Sequence, residues 1–159
     1  MITVTLGTIV YPFQRALDWL DVLIGQEVIT EPVFLQYGST DVCRLASYPM
    51  VTAASFVDLA DLQAQISSSR LVISHAGQGS TRMLADMEAT FTLVPRLSRY
   101  GEHVDDHKLL FAQSVETVGV SHCLTLDSLR YFIVHPPQKV QRQLFNAPHL
   151  AEHLLHAYP

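Results

Sequence analysis

The residues Ser74-His75-Ala76-Gly77-Gln78-Gly79-Ser80 follow directly on the apolar run Leu71-Val72-Ile73. Such a run reads as a buried parallel strand. A glycine-rich turn at its carboxyl end, opening into helix-forming residues, presents backbone N–H groups and a helix N-terminus, and that suits phosphate. Further along lies a second polar cluster, Tyr100-Gly101-Glu102-His103-Val104-Asp105-Asp106-His107-Lys108. Alone, Gly77-x-Gly79 is weak evidence, because glycine pairs occur in many strand–helix turns simply to let the backbone pass. The dinucleotide fingerprint is not present: its third glycine and the acidic residue that would hold a ribose are missing, as is a P-loop lysine.

The second cluster admits two chemistries. If a helix starts near Val104, His103 and His107 lie four apart on one face with Asp106 beside them, an arrangement that suits zinc or manganese and would make the chain a metal hydrolase. No further ligand set stands out, however, and acidic residues at a helix start are common for dipole reasons alone. The alternative is hydrogen bonding, with carboxylates and imidazoles at the helix start gripping the hydroxyls of a sugar or ribose. The other histidines have no spacing that demands chemistry; His149, His153 and His156 share one face of a final helix and read as a solvated or partner-facing surface.

The elements that must position these clusters alternate along the chain. Ile2 to Leu6 is a β-rich opening that turns at Gly7-Thr8. Phe13 to Ile24 carries one helical stripe, with Pro12 suited to the first turn. Pro32 to Gly38 is a second strand, and Met50 to Thr52 reads as a short third. Asp58 caps a helix to Ser67. Leu71 to Ser74 is a strand, Ser80 to Met87 the helix after the glycine loop, and Phe91 to Val94 another strand. Asp105 to Val118 is expected to be helical, with Leu109, Leu110, Ala112 and Val115 inward and Gly119 ending it. Cys123 to Leu126 reads as a strand, Asp127 as the cap of a segment to Val134, and Lys139 towards His156 as a last helix. Strands and helices at this spacing predict right-handed βαβ units and an α/β, Rossmann-like, doubly wound and mostly parallel sheet. Ligands of such sheets bind beyond the carboxyl ends of the strands. Gly7-Thr8, the His75–Ser80 loop and the segment from Arg96 to Lys108 all follow predicted strands and are expected to converge on one rim.

Composition narrows the classes. With 159 residues, 48% hydrophobic and 16% charged, the chain suits one packed domain over 1–159, its last ~25 residues a carboxyl-terminal helical extension. A net charge of −5 offers no basic stripe for nucleic acid; the nearest basic cluster, Lys139 to Arg142, reads as a solvated helix face. No apolar stretch approaches a bilayer span, and the first residues lack the marks of a leader. Cys43 and Cys123 read as small buried hydrophobes in a reducing cytoplasm. Trp19 and Leu20 to Leu23 read as core.

Taken together, Ser74–Ser80, Pro95-Arg96 and Tyr100–His107 closely resemble a glycosyltransferase family. So do the opening Ile2–Thr8, the helix start Pro12-Phe13-Gln14-Arg15, and Val33-Phe34-Leu35-Gln36-Tyr37-Gly38. These are the family 28 half-enzymes equivalent to the carboxyl-terminal, donor-binding domain of GT-B glycosyltransferases. They include the catalytic subunit of the two-part dolichol-pathway N-acetylglucosaminyltransferase and the donor-binding subunits of bacterial exopolysaccharide and capsule transferases. The likeness runs to about Gly119.

The resemblance implies a UDP-sugar site. Gly7 and Thr8 would line it from the first strand, while His75, Ala76, Gly77, Gln78, Gly79 and Ser80 would face the diphosphate. Arg96, Glu102, His103, Asp105, Asp106 and Lys108 would complete it, with Glu102, His103, Asp105 and Asp106 approaching the donor sugar or ribose. His75 and His103 are the candidate general bases of an inverting transfer, a role that a partner could also fill. No metal or cofactor is then required. The chain is expected to act in the cytoplasm, peripheral to the inner face of the membrane, through a membrane-associated partner that brings a lipid-linked acceptor for polysaccharide assembly; a non-catalytic nucleotide-sugar module is the alternative. The sequence departs from the family pattern at Lys108, where glutamine is usual, at Met83, where several relatives are polar, at Glu88-Ala89-Thr90, which replaces a Gly-Lys-Pro-like turn, and at Arg70.

Overall fold

The computed structural model describes residues 1–140. Five parallel strands, β1 (Ile2–Thr5), β2 (Val33–Gln36), β3 (Val51–Ala54), β4 (Leu71–Ser74) and β5 (Phe91–Leu93), form one sheet in the order β3-β2-β1-β4-β5. Every residue of β1, β2 and β4 is buried, as happens when helices cover both faces of a sheet. The α/β Rossmann-like expectation therefore holds. Successive side chains serve opposite layers: Leu71 and Ile73 pack with Ile2, Val4, Leu20 and Leu129, whereas Val72 packs with Ile66, Leu84, Phe91 and Val115. Each fully buried Leu, Ile or Phe contributes roughly 1.5–3 kcal/mol, so these two layers fix the sheet.

Register decides what the sheet can present. Thr5 lies opposite Gln36 on one side and Ser74 on the other, and Ser74 lies opposite Leu93. The central strands end level, and the loops after them begin on one rim. The chain winds outward from β1 to β3, then crosses back to β4 and β5, so the switch point lies between β1 and β4.

Helix α1 (Gln14–Gly25) buries Ala16, Leu17, Leu20, Leu23 and Ile24, one stripe at helical spacing. Its start has no side-chain cap of its own; the Thr40 hydroxyl accepts the Phe13 N–H at 3.0 Å. Asp58 caps α2 (Leu59–Ser67) as expected, accepting the Asp61 N–H at 2.8 Å. Helix α3 (Gln78–Asp86) starts earlier than its apolar residues suggest, directly from the glycine loop. Helix α4 (His107–Glu116) buries Ala112 and Val115, but Leu110 is 65% exposed, so the inward face is narrower than expected.

The expected strand at Cys123–Leu126 does not form. Leu93 makes a single parallel bridge to His122, and the chain then turns because Thr125 is taken up as a cap. Thr125 and Ser128 form a reciprocal capping box for α5 (Leu126–Val134), which places the expected cap Asp127 in the first turn instead. Cys43 is exposed, contrary to expectation, while Cys123 is buried. Trp19 is only partly buried, and Val22 is 37% exposed. At the turn before β5, Glu88 holds a left-handed backbone (φ 52°), which is how this chain builds that corner without glycine. Arg70 pairs with Glu31 and donates to the Ile133 carbonyl, tying β4 to α5. Among the described residues no helix is long and apolar enough to cross a membrane. Of the expected last helix, residues 141–156 lie outside the described residues, and with them Arg142, His149, His153 and His156.

Candidate functional site

The rim loop after β1 turns at Gly7 (φ 76°) and is held by a side chain from the neighbouring strand. Gln36 is buried at the end of β2; its Nε2 donates to the Gly7 and Ser55 carbonyls at 3.0 and 3.2 Å. Its Oε1 accepts the Thr5 hydroxyl at 2.8 Å and the Gly7 N–H at 3.1 Å. One amide at the end of β2 thus ties together the loops leaving β1 and β3. A polar residue closing an otherwise apolar strand is the signal in the sequence that reasoning from motifs passed over.

On the other side of the switch point, His75 is the wedge. Its Nδ1 faces the Thr5 carbonyl at 3.2 Å, and a carbonyl can only accept, so Nδ1 carries the proton and Nε2 the lone pair. A β-carbon on Gly77 would lie 2.6 Å from Nε2, and one on Gly7 would lie 2.8 Å from it. Both glycines are therefore required by the imidazole between them. Burial pushes the His75 pKa down to about 4, helped by the charges of Arg96 and Lys108 and opposed by the Thr5 contact. The ring is neutral at neutral pH.

That burial has a stability consequence. Above the unfolded value of 6.5 the imidazole is uncharged in both states and contributes nothing. Below it the unfolded chain takes up a proton that the folded chain refuses, so stability falls until about pH 4, where the loss levels off at an order of 3 kcal/mol. Urea unfolding of the natural chain and His75→Gln at about pH 7.5 and about pH 4.5 measures this. The substituted chain is expected to lose less on acidification by a few kcal/mol; equal losses would exclude His75 as the group responsible.

Beyond His75, Ala76 is buried with a left-handed backbone (φ 60°), and Gly77 opens α3 with no side-chain cap. The first N–H groups of a helix have no partner within it. Here Thr81 is the first in α3 to bond back, to the Gly77 carbonyl at 2.8 Å, which leaves the amides of Gln78, Gly79 and Ser80 directed at the rim. A β-carbon on Gly79 would meet nothing within 4 Å, so the space over this helix end is open.

The second cluster divides into side chains that hold the rim and side chains that face outward. Arg96 is 1% exposed, donating to the Leu6 and Tyr11 carbonyls at 2.7 Å and to the Glu102 carbonyl at 3.3 Å, with its guanidinium 4.6 Å from the Phe13 ring. Burial lowers its pKa to about 10, against the pull of Glu102, so it stays charged. Glu102 is 2% exposed and accepts Arg15 Nε and Nη2, both at 2.8 Å, as well as the Leu97 N–H at 2.8 Å. Arg15 also donates to the Pro95 carbonyl and stacks 4.7 Å over Trp19. Arg96 and Glu102 are thus spent on binding the loop after β5 to α1 and the loop after β1. Sequence reasoning named Arg15 only as part of a motif, since nothing local shows that its partner lies 87 residues away.

Asp106 turns back to accept the Ser98 N–H at 2.8 Å, which lowers its pKa. It is not beside the two histidines; Asp105 is. Asp105 accepts both the backbone N–H and the ring Nδ1 of His107, and these bonds depress its pKa. His103 packs against Tyr11, with ring centroids 5.8 Å apart, and edge-on against His107 at 4.5 Å. Burial, then His107, pushes its pKa down, while Asp105 opposes. Lys108 is half-buried, its pKa lowered by burial and by Arg96. Because Arg96 and Lys108 both act on His75, and His103 touches the loop after β1, the two polar clusters share the rim.

A parallel sheet with a switch point, and an uncapped helix N-terminus on the rim beside it, define a Rossmann-like domain of the kind that forms the carboxyl-terminal half of GT-B glycosyltransferases. The chain belongs to the family described as the glycosyltransferase family 28 C-terminal domain, whose profile matches residues 13–153. The match extends beyond Gly119, where the sequence motifs end. Among solved structures, MurG of Acinetobacter baumannii is similar with a TM-score of 0.62 and 19% identity, over 98% of this chain and 50% of its own. The glycotransferase of kitacinnamycin is similar with a TM-score of 0.61 and 16% identity, over 98% of this chain and 37% of its own. This chain therefore spans half or less of the length of these structures, and at such identities the likeness is one of fold. No curated protein matches the sequence.

Proposed function

We propose that the chain is the donor-binding part of an inverting glycosyltransferase that takes a UDP-sugar. The observation that carries this reading is the open, uncapped N-terminus of α3 on the rim of a family 28 domain. The diphosphate lies over Gln78, Gly79 and Ser80, flanked by Gly7 and Thr8, with the His75–Gly77 turn as its floor. The acceptor hydroxyl attacks the anomeric carbon, the bond from that carbon to the diphosphate oxygen breaks, and the charge left on UDP falls on the helix dipole. His103 and Asp105, from the segment before α4, and Lys108, from its first turn, approach the donor. Arg96, Glu102 and Asp106 act from behind, by holding loops. His75 is too weakly basic to take the acceptor proton, which leaves His103 or a residue of a partner chain for that role.

We assign the acceptor half to a partner, the present chain matching 50% of the length of MurG. We assign it a membrane association and a lipid-linked acceptor in polysaccharide assembly, with this chain at the cytoplasmic face. Titration of UDP and a panel of UDP-sugars into the purified chain, followed by transfer assays with its co-purified partner, tests the reading. UDP is expected to bind the chain alone and transfer to need the partner. Absence of any UDP binding would defeat the proposal. Because Arg96 and Glu102 are consumed internally, a second reading is kept: a nucleotide-sugar module that regulates its partner, marked by binding without transfer.

A further inference from the structure

We propose that His103, Asp105 and His107 form a binding site for a zinc-class divalent cation, independent of whether the chain binds a sugar nucleotide. One ligand atom from each lies within 4.8 Å of the others. Tetrahedral zinc, with bonds near 2.0–2.1 Å, sets its ligands ~3.3 Å apart. His103 Nδ1 lies 3.3 Å from Asp105 Oδ1. Nδ1 is shielded from water and makes no well-aligned hydrogen bond, its charged neighbour being that carboxylate. A cation between these two atoms would give that nitrogen the partner that neither water nor a well-aligned hydrogen bond supplies. The same oxygen already accepts from His107 Nδ1, so a metal would displace that proton to solvent while the Asp105–His107 separation opened to the ligand spacing.

The donor set of two imidazoles and a carboxylate suits zinc before magnesium or calcium, which prefer oxygen. The side chains of Asp105 and His107 are 57% and 47% exposed, so the cation has a path in and a fourth position open to water. His103 is mostly buried against Tyr11 and fixes one ligand in place. The spacing alone suggested Asp106 as the carboxylate, but Asp106 is held by the Ser98 N–H.

Zinc titrated calorimetrically into the full chain, and cobalt followed by its visible ligand-field bands, test the site. One equivalent is expected to bind, with cobalt showing four-coordinate absorption. Asp105→Asn and His107→Ala are each expected to weaken binding at least ~10-fold. Both residues are exposed, and circular dichroism checks that the variants fold. A third variant with His149, His153 and His156 all changed to Ala, the other set of histidines in the sequence, is expected to keep the affinity. No uptake, or an affinity that survives Asp105→Asn and His107→Ala, would overturn the proposal, as would one lost with the three distal histidines.

Discussion

Glu102→Gln is expected to lower the unfolding free energy by about 3 kcal/mol, because it removes one member of a buried ion pair and leaves the other uncompensated. The side chains of Arg15 and Glu102 are 13% and 3% exposed, so water does little to screen them. The carboxylate accepts two guanidinium N–H groups and the Leu97 N–H, and an amide can accept at only one of its two oxygen positions. The charge on Arg15 would remain among Phe13, Trp19 and Tyr100, whose ring faces stabilise a cation only partly. Urea unfolding in low and high salt measures the loss. A loss that is large and insensitive to salt is expected; one below about 1 kcal/mol that vanishes in salt would mark the pair as no more than a surface contact. Since the carboxylate faces the interior, UDP affinity of the folded variant is expected to change less than its stability does.

Glu102 also shows what could and could not be read from sequence. The strands and most helices were legible because each apolar stripe has one clear period, and strands β1, β2 and β4 are apolar enough to be buried on both faces. The convergence on a rim followed from the parallel order, since level strand ends put their loops together. Element ends were less legible: α3 begins on the glycine loop and α5 on Thr125, because caps are satisfied by backbone and hydroxyl geometry that hydrophobic spacing does not carry. The division of labour among polar residues was least legible. Glu102 and His103 are neighbours in a polar run, yet one points at Arg15 from across the chain and the other at Tyr11. Only the fold decides which polar residue is spent on the protein and which is left for a ligand. Gln36 makes the same point in reverse, a residue given no role of its own within its motif that holds the loops after β1 and β3.

Two glycines separated by one residue are expected to fail in opposite ways when replaced. At Gly79 an added side chain meets no protein atom within 4 Å, and the residue sits in the first turn of a helix with φ in the ordinary range. Gly79→Leu should therefore leave stability unchanged or raise it by up to ~1 kcal/mol, as glycine is a poor helix former. The same side chain projects into the space over the amides of Gln78, Gly79 and Ser80, where a phosphate would have to approach. UDP affinity is expected to fall by at least ~100-fold, since the ligand would lose charge-assisted bonds to the helix end, each contributing about 1.5–3 kcal/mol. At Gly77 the added β-carbon lands 2.6 Å from His75 Nε2, and the ring cannot swing clear without giving up its bond to the Thr5 carbonyl. Gly77→Ala is expected to cost about 1–3 kcal/mol of stability through overpacking. Pairing it with His75→Ala should restore part of that loss, since the clash is with that ring alone. Thermal melts and UDP titrations of the three variant chains separate the two effects. If Gly79→Leu bound UDP as the natural chain does, the nucleotide would have to lie elsewhere, however well the domain folded.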